Sequence, residues 1–132
     1  MNNLKQLHKC ISLVPKPKSK FELFPWERNR TWIVKETFTV DTRFGKSVTV
    51  PAGFKHDRFS FAPDIGDCEI GAIVHDYIYT FKNFSDGTKA TKSQADKILY
   101  DLLYECGHKW ISKLYFVGVL IGGFRSWNAK RV

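Results

Sequence analysis

The stretch IGAIVHDYIY, Ile70 to Tyr79, decides how this chain folds. On a helix at roughly 100° per residue, Ile70, Ile73, Val74, Tyr77, Ile78 and Phe81 share one face. That is the i, i+3, i+4, i+7 spacing of a core stripe. His75, Asp76 and Tyr79 take the opposite face, with Ala72 among them. The polar residues do not interrupt the core. They make a second face on a helix that the pattern expects to be covered on both sides, starting at Asp67 or Glu69 and ending at Phe81.

Downstream, NFSDGT (Asn83 to Thr88) reads as a loop. Thr91 and Gln94 then form a T-x-x-Q capping box, a start signal in which each side chain satisfies the other residue's orphan backbone N–H. Ala95, Ile98, Leu99, Leu102, Leu103 and Cys106 continue as an apolar stripe, and Gly107 suits a helix C-terminus. A third helix is expected over Lys109 to Trp127, where Gly118 and Gly122, four apart, let another backbone come close.

Upstream, the period changes. TWIVKETFTV (Thr31 to Val40) alternates, with Trp32, Val34, Phe38 and Val40 on one side and Lys35, Thr37 and Thr39 on the other. That is the period of a half-buried strand. FGK (Phe44 to Lys46) is a turn and KSVTV (Lys46 to Val50) a second strand, so the pair predicts a hairpin ended by PAGF (Pro51 to Phe54). Residues 55–68 lack a period and read as an ordered loop. Residues 1–20 read as a basic arm, because Pro15 and Pro17 alternate with Lys16, Lys18 and Lys20. The fold class is therefore α+β: an N-terminal antiparallel hairpin or small sheet, then three packed helices, in a single domain over residues 21–132.

Composition narrows the function classes. The chain has 132 residues, 43% hydrophobic and 15% aromatic, which suits one globular domain with a modest core. Its apolar run at Cys10 to Val14 is broken by Pro15 and reads as no signal peptide. The run from Leu114 to Phe124 is shorter than the roughly 18–20 residues of a spanning helix, so no transmembrane segment is expected. Cys10, Cys68 and Cys106 are widely spaced without a C-x-x-C pair and read as reduced thiols of a cytosolic protein. Of the net charge of +8, residues 1–58 hold 12 basic against 5 acidic side chains. Such a face could meet an anionic membrane surface or an acidic partner protein, or simply keep the chain soluble. No nucleic-acid motif is visible.

One constellation could carry chemistry. Asp96 stands at the border of the second helix's apolar stripe. If the two helices pack antiparallel across residues 83–91, Asp96 reaches His75. A carboxylate bonded to one imidazole nitrogen fixes the tautomer and leaves the other nitrogen as a base. Asp76 would point to the other flank and could hold a hard cation with loop carbonyls. Asp57 and Asp64, with Asp67 and Glu69, add carboxylates nearby in sequence. The plain alternative is a satisfied polar pair in a core, since perturbed clusters are also structural. His8, His56 and His108 show no zinc-ligand spacing.

Two resemblances bear on this. VPAGFKHDRFSFAP (Val50 to Pro63), IGAIVHDYIY and QADKI (Gln94 to Ile98), in that order, resemble a phage and prophage family, domain-of-unknown-function family 1353, across roughly residues 30–127. The chain departs from its pattern at His56 and is one residue longer at Phe61-Ala62-Pro63. That resemblance implies a phage or prophage origin and no activity. HDYIY also resembles the H-D-x-x-Y helix of the phospholipase A2 class, with Ala95-Asp96 matching its later carboxylate. The second resemblance implies His75 as catalytic base, Asp96 as the carboxylate orienting it, Tyr79 as a hydrogen-bonding tyrosine and Asp76 as a calcium ligand. The glycine-rich calcium loop of that class has no counterpart beyond PDIGDCEIG (Pro63 to Gly71). Two functions stand open. One is a binding protein of a phage virion, of its tail or of the host cytoplasm, meeting a phage or host protein. The other is a small ester hydrolase.

Overall fold

The computed structural model describes residues 4–15, 30–57 and 69–107, together with Lys113, Phe116, Val117, Trp127 and Asn128. In chain order the elements are α1 (Leu4–His8), β1 (Ile11–Pro15), β2 (Arg30–Val34), β3 (Phe38–Asp41), β4 (Ser47–Val50), β5 (Lys55–Asp57), α2 (Glu69–Phe81) and α3 (Lys92–Glu105). The fold is mixed α+β, with two small antiparallel sheets and a helical hairpin.

The hairpin expected around FGK forms as β3–β4, in register from Phe38 opposite Val50 to Asp41 opposite Ser47. Gly45 takes the turn's left-handed position (φ 70), which a side chain would resist. The inward residues Phe38, Val40, Val48 and Val50 are buried, and the outward Thr39 and Thr49 hydrogen-bond across the strands at 2.9 Å.

Three expectations are corrected here. The alternating run Thr31 to Val40 is two strands and not one. It breaks at the bend Lys35–Glu36, so that β2 joins the sheet β1-β2-β5 and β3 joins β4. Lys35 N–H and Glu36 N–H both donate to Cys10 O, at 2.7 and 3.2 Å, a bond set that draws the chain out of the strand. Residues 55–57, read as loop, are β5, paired with β2 from Thr31 opposite Asp57 to Ile33 opposite Lys55. Residues 4–15 of the expected arm are α1 and β1, with Leu4 and Ile11 in the core and β1 antiparallel to β2. Neither prolines nor lysines prevent this, because Pro15 stands at the strand's last position.

The helices follow the sequence closely. α2 starts at Glu69 and ends at Phe81, with Lys82 in the left-handed region (φ 57). Ile70, Ile73, Val74 and Ile78 are sealed, but Phe81 at the foot of the same stripe is 51% exposed. α3 opens on the Thr91–Gln94 capping box with both reciprocal bonds made. It closes at Cys106, with Gly107 (φ 91) continuing the turn. Of the third helix expected over residues 109–127, Lys113, Phe116, Val117 and Trp127 are helical, and the remainder lies outside the described residues. No described helix is long and apolar enough to cross a membrane.

The loop between α2 and α3 docks on the sheet side. Ser85 N–H and Oγ–H both donate to Ser47 O, at 2.9 and 2.6 Å, and Phe84 is buried beneath. This contact fixes where α3 begins, and so what faces α2. Cys10 is a free thiol, but Cys106 is disulfide-bonded, which corrects the expectation of three reduced cysteines.

Candidate functional site

The site is built where the polar face of α2 meets α3. Gly71, one turn before His75, lets the helices approach: a Cβ placed on it would lie 3.2 Å from Leu102 Cβ. The close packing brings His75, Tyr79 and Asp96 together, though 21 and 17 residues separate them in sequence. The sequence pattern placed Asp96 at the border of its apolar stripe. The structure seals it, at 0% exposure, and buries His75 to 3% and Lys92 to 9%.

Asp96 is the hub. His75 Nε2–H donates to Oδ1 at 2.9 Å, Tyr79 O–H donates to the same oxygen at 2.6 Å, and Lys92 Nζ donates to Oδ2 at 2.7 Å. Burial alone pushes the Asp96 carboxyl up, but the bonds from His75, Lys92 and Tyr79 outweigh it and hold the group below the ordinary carboxylate value. Asp96 is therefore ionised at neutral pH, accepts on both oxygens, and fixes the His75 proton on Nε2. Tyr79 is held between two rings: His75 at 4.2 Å centroid to centroid, tilted by 39°, and Trp127 edge-on at 5.1 Å. Lys82 Nζ lies over the Trp127 ring, 4.9 Å from its centroid.

The expected dyad is thus present as geometry, and the tyrosine implied by the second resemblance joins it. Lys92 was missed. Its signal was the i, i+4 spacing to Asp96 on one helix face, masked by the habit of reading a lysine near a helix start as solvated. Of the expected cation ligands, only Asp76 has its side chain among the described residues. Asp76 is half-buried on α2, and its carbonyl accepts from Thr80 Oγ–H at 2.8 Å. Asp57 lies in β5 with its backbone opposite Thr31, and its side chain, like all of Asp64, falls outside the described residues. Among the described residues no three His, Cys, Asp or Glu side chains are placed to hold a metal ion.

The family described as "Protein of unknown function (DUF1353)" matches residues 32–119. The chain belongs to this family. The match runs from β2 through α3, so all four residues of the Asp96 cluster lie inside the DUF1353 region, while α1 and β1 precede it. Neither a curated protein nor a solved structure matches the chain. The comparisons lend the phospholipase A2 resemblance no support.

Proposed function

We propose that this DUF1353 protein works by binding, as a virion or tail component of a phage or prophage or as a factor directed at a host protein, and that the Asp96 cluster is the lock of its helical hairpin. The observation that carries this is the complete occupation of Asp96: both carboxylate oxygens are engaged, by three donors, in a site with 0% exposure. A general base needs its orienting carboxylate to stabilise the imidazolium that forms. Here Lys92 already pairs with the carboxylate that a base would need. An acceptor so fully engaged holds the two helices in one register, which is what a structural lock requires.

A second reading has a specific observation behind it. His75 and Tyr79 converge on one oxygen of Asp96, the arrangement implied by the resemblance to the phospholipase A2 class. In that reading His75 would be the base that deprotonates a water attacking an ester.

One paired measurement separates the two. The wild-type protein and His75→Gln are compared for unfolding midpoint and for hydrolysis of mixed phospholipid vesicles, with calcium and with chelator. The lock reading expects no hydrolysis by either protein and a lowered midpoint for His75→Gln. Turnover by the wild type, lost in His75→Gln at an unchanged midpoint, would overturn it in favour of the hydrolase.

A further inference from the structure

We infer that the groove between the end of β3 and α3 is the docking site for an arginine-bearing segment of a partner protein, with Tyr104 and Glu105 receiving the guanidinium. This deepens the binding reading by giving the partner's chemistry, and it rests on that reading for the partner being a protein. The groove has a volume of about 530 Å³. That lies within the several hundred Å³ typical of ligand sites and gives room for a short stretch of polypeptide, not a lone ion. β3 and the turn after it contribute Asp41 and Arg43, and α3 contributes Tyr100, Asp101, Tyr104 and Glu105.

Three of these residues carry a carboxylate and one a guanidinium, so the lining is formally negative on a chain whose net charge is +8. At physiological ionic strength, charges are screened over about 8 Å. A group inside the groove therefore responds to these carboxylates more than to the chain's total charge. Phosphates and carboxylates are disfavoured there, and a cation is favoured.

The chain itself shows which cation fits. Arg43 Nε–H and Nη2–H donate to the two oxygens of Asp101, a bidentate pair that joins residues 58 apart in sequence. Tyr100 lines the groove next to Asp101. One turn further along α3, Tyr104 and Glu105 repeat the same tyrosine–carboxylate step. The Tyr100 and Tyr104 rings stack, 6.0 Å between centroids and 26° from parallel, and Phe116 meets Tyr100 edge-on at 5.6 Å. This backing holds the aromatic row in place while Tyr104 stays 42% exposed. Arginine suits such a step. Its planar guanidinium bonds a carboxylate through two N–H groups and stacks on an aromatic face, whereas a lysine ammonium is a point charge. A carboxylate has about four acceptor sites, so Glu105 can receive a guanidinium beside the contacts it makes within the chain. Tyrosine and arginine are also among the residues that carry most of the energy of protein interfaces.

The test titrates the full nitrogen-15-labelled chain with acetyl-Gly-Arg-Gly-amide at millimolar concentration and follows the backbone amides by NMR. Shifts are expected at Tyr104 and Glu105. The lysine counterpart of the peptide should shift the same amides less, and the glutamate counterpart should leave them in place. Glu105→Gln and Tyr104→Ala should each weaken the arginine peptide roughly threefold, as for single exposed ion-pair and cation–π contacts. If Tyr104→Ala does not fold, Glu105→Gln, which removes the charge and keeps the shape, still decides. Shifts confined to residues outside the groove, equal binding of the glutamate peptide, or undiminished binding by Glu105→Gln would overturn the site. Concentration-dependent shifts at the same amides without peptide would overturn the partner in favour of a second copy of this chain. Failure here is distinct from failure of the binding reading. That reading falls if the wild type hydrolyses phospholipid and His75→Gln does not, and His75 does not line the groove.

Discussion

Val40, Val48 and Val50 fill the interior of the β3–β4 hairpin with hydrocarbon alone, whereas Asp96, just as fully sealed, fills the α2–α3 interface with a charge. The two regions are joined by the Ser85–Ser47 bonds and by the packing of α2 on β4, yet they are specified differently. An apolar interior is non-directional: any side chain of fitting volume serves, and register is set by the alternation of the strands. A buried carboxylate is directional. It is tolerable only with its donors in place, so it accepts one helix register and penalises its neighbours. The helical hairpin is thus the more uniquely determined half and the one more sensitive to single polar changes.

The largest test of that contrast is Asp96→Ala. It leaves the Lys92 ammonium and the His75 and Tyr79 donors without their acceptor in a sealed site. Breaking a buried pair by removing one partner costs about 3–5 kcal/mol, and urea unfolding should show it as a lower midpoint at unchanged m-value. Acid should act on the same group. Its carboxyl is held below the ordinary value of 3.8, so the native state binds that proton less readily than the unfolded chain does. The stabilisation is complete above the ordinary value and is lost as pH falls through the depressed one. Melting from pH 6 down to pH 2 should therefore show a steeper fall below pH 4 in the wild type than in Asp96→Asn. Parallel curves would mean that Asp96 is not the titrating lock.

Next in size is Val48→Ala on the sheet side. Val48 is wholly buried, so the change removes two methyl groups and leaves a small cavity, at a cost of roughly 2 kcal/mol. Val48→Ile, which keeps the interior apolar, should cost less than any polar change at Asp96. If Val48→Ala proves as damaging as Asp96→Ala, the contrast between the halves fails.

Gly71→Ala probes the approach that brings the polar groups together. Alanine favours a helix over glycine by about 1 kcal/mol. Its Cβ would sit 3.2 Å from Leu102 Cβ, an atom held close to the backbone of α3 and unable to swing aside. The helices must part by a few tenths of an ångström, which strains the 2.6–2.9 Å bonds to Asp96 as well as the packing. Overpacking should win, for a net loss of about 1 kcal/mol, measured again by denaturant unfolding. A stabilised variant would show that the interface is soft and that the register is not tightly held.

The same contrast explains what the sequence disclosed. Elements with a clean local period were legible: α2, α3 with its capping box, and the β3–β4 turn. The break between β2 and β3 was not, because Trp32, Val34, Phe38 and Val40 keep the same parity across it, so no slip in the alternation marks where one sheet ends. β1 was hidden because its pairing with β2 spans a separation that a local pattern does not report. At the site, His75 and Asp96 could be matched from two helical faces, since both lie on regular elements. Lys92 does not stand out from other exposed-looking lysines, because its burial comes from the packing of α3 on α2 and not from any local pattern.

The smallest effect is expected at Thr91, where local and tertiary demands coincide. Its side chain accepts from Gln94 N–H at 3.2 Å while Gln94 Oε1 accepts from Thr91 N–H at 2.9 Å. Thr91→Ala removes the first bond only and should cost about 1 kcal/mol. Thr91→Ser keeps the acceptor and should stay near the wild-type midpoint. The pair sharpens the comparison, because Thr91 stands one residue before Lys92, whose ammonium holds Asp96 Oδ2 from the first turn of α3. If the cap serves only the helix end, Thr91→Ala and Lys92→Met should add in the double variant. If the cap also holds Lys92 in place, the double variant should lose less than the sum, by an amount beyond the roughly 0.3–0.5 kcal/mol within which independent sites add. A full double-mutant cycle by urea unfolding measures that difference. Simple additivity would confine the directional half of the molecule to the Asp96 cluster itself.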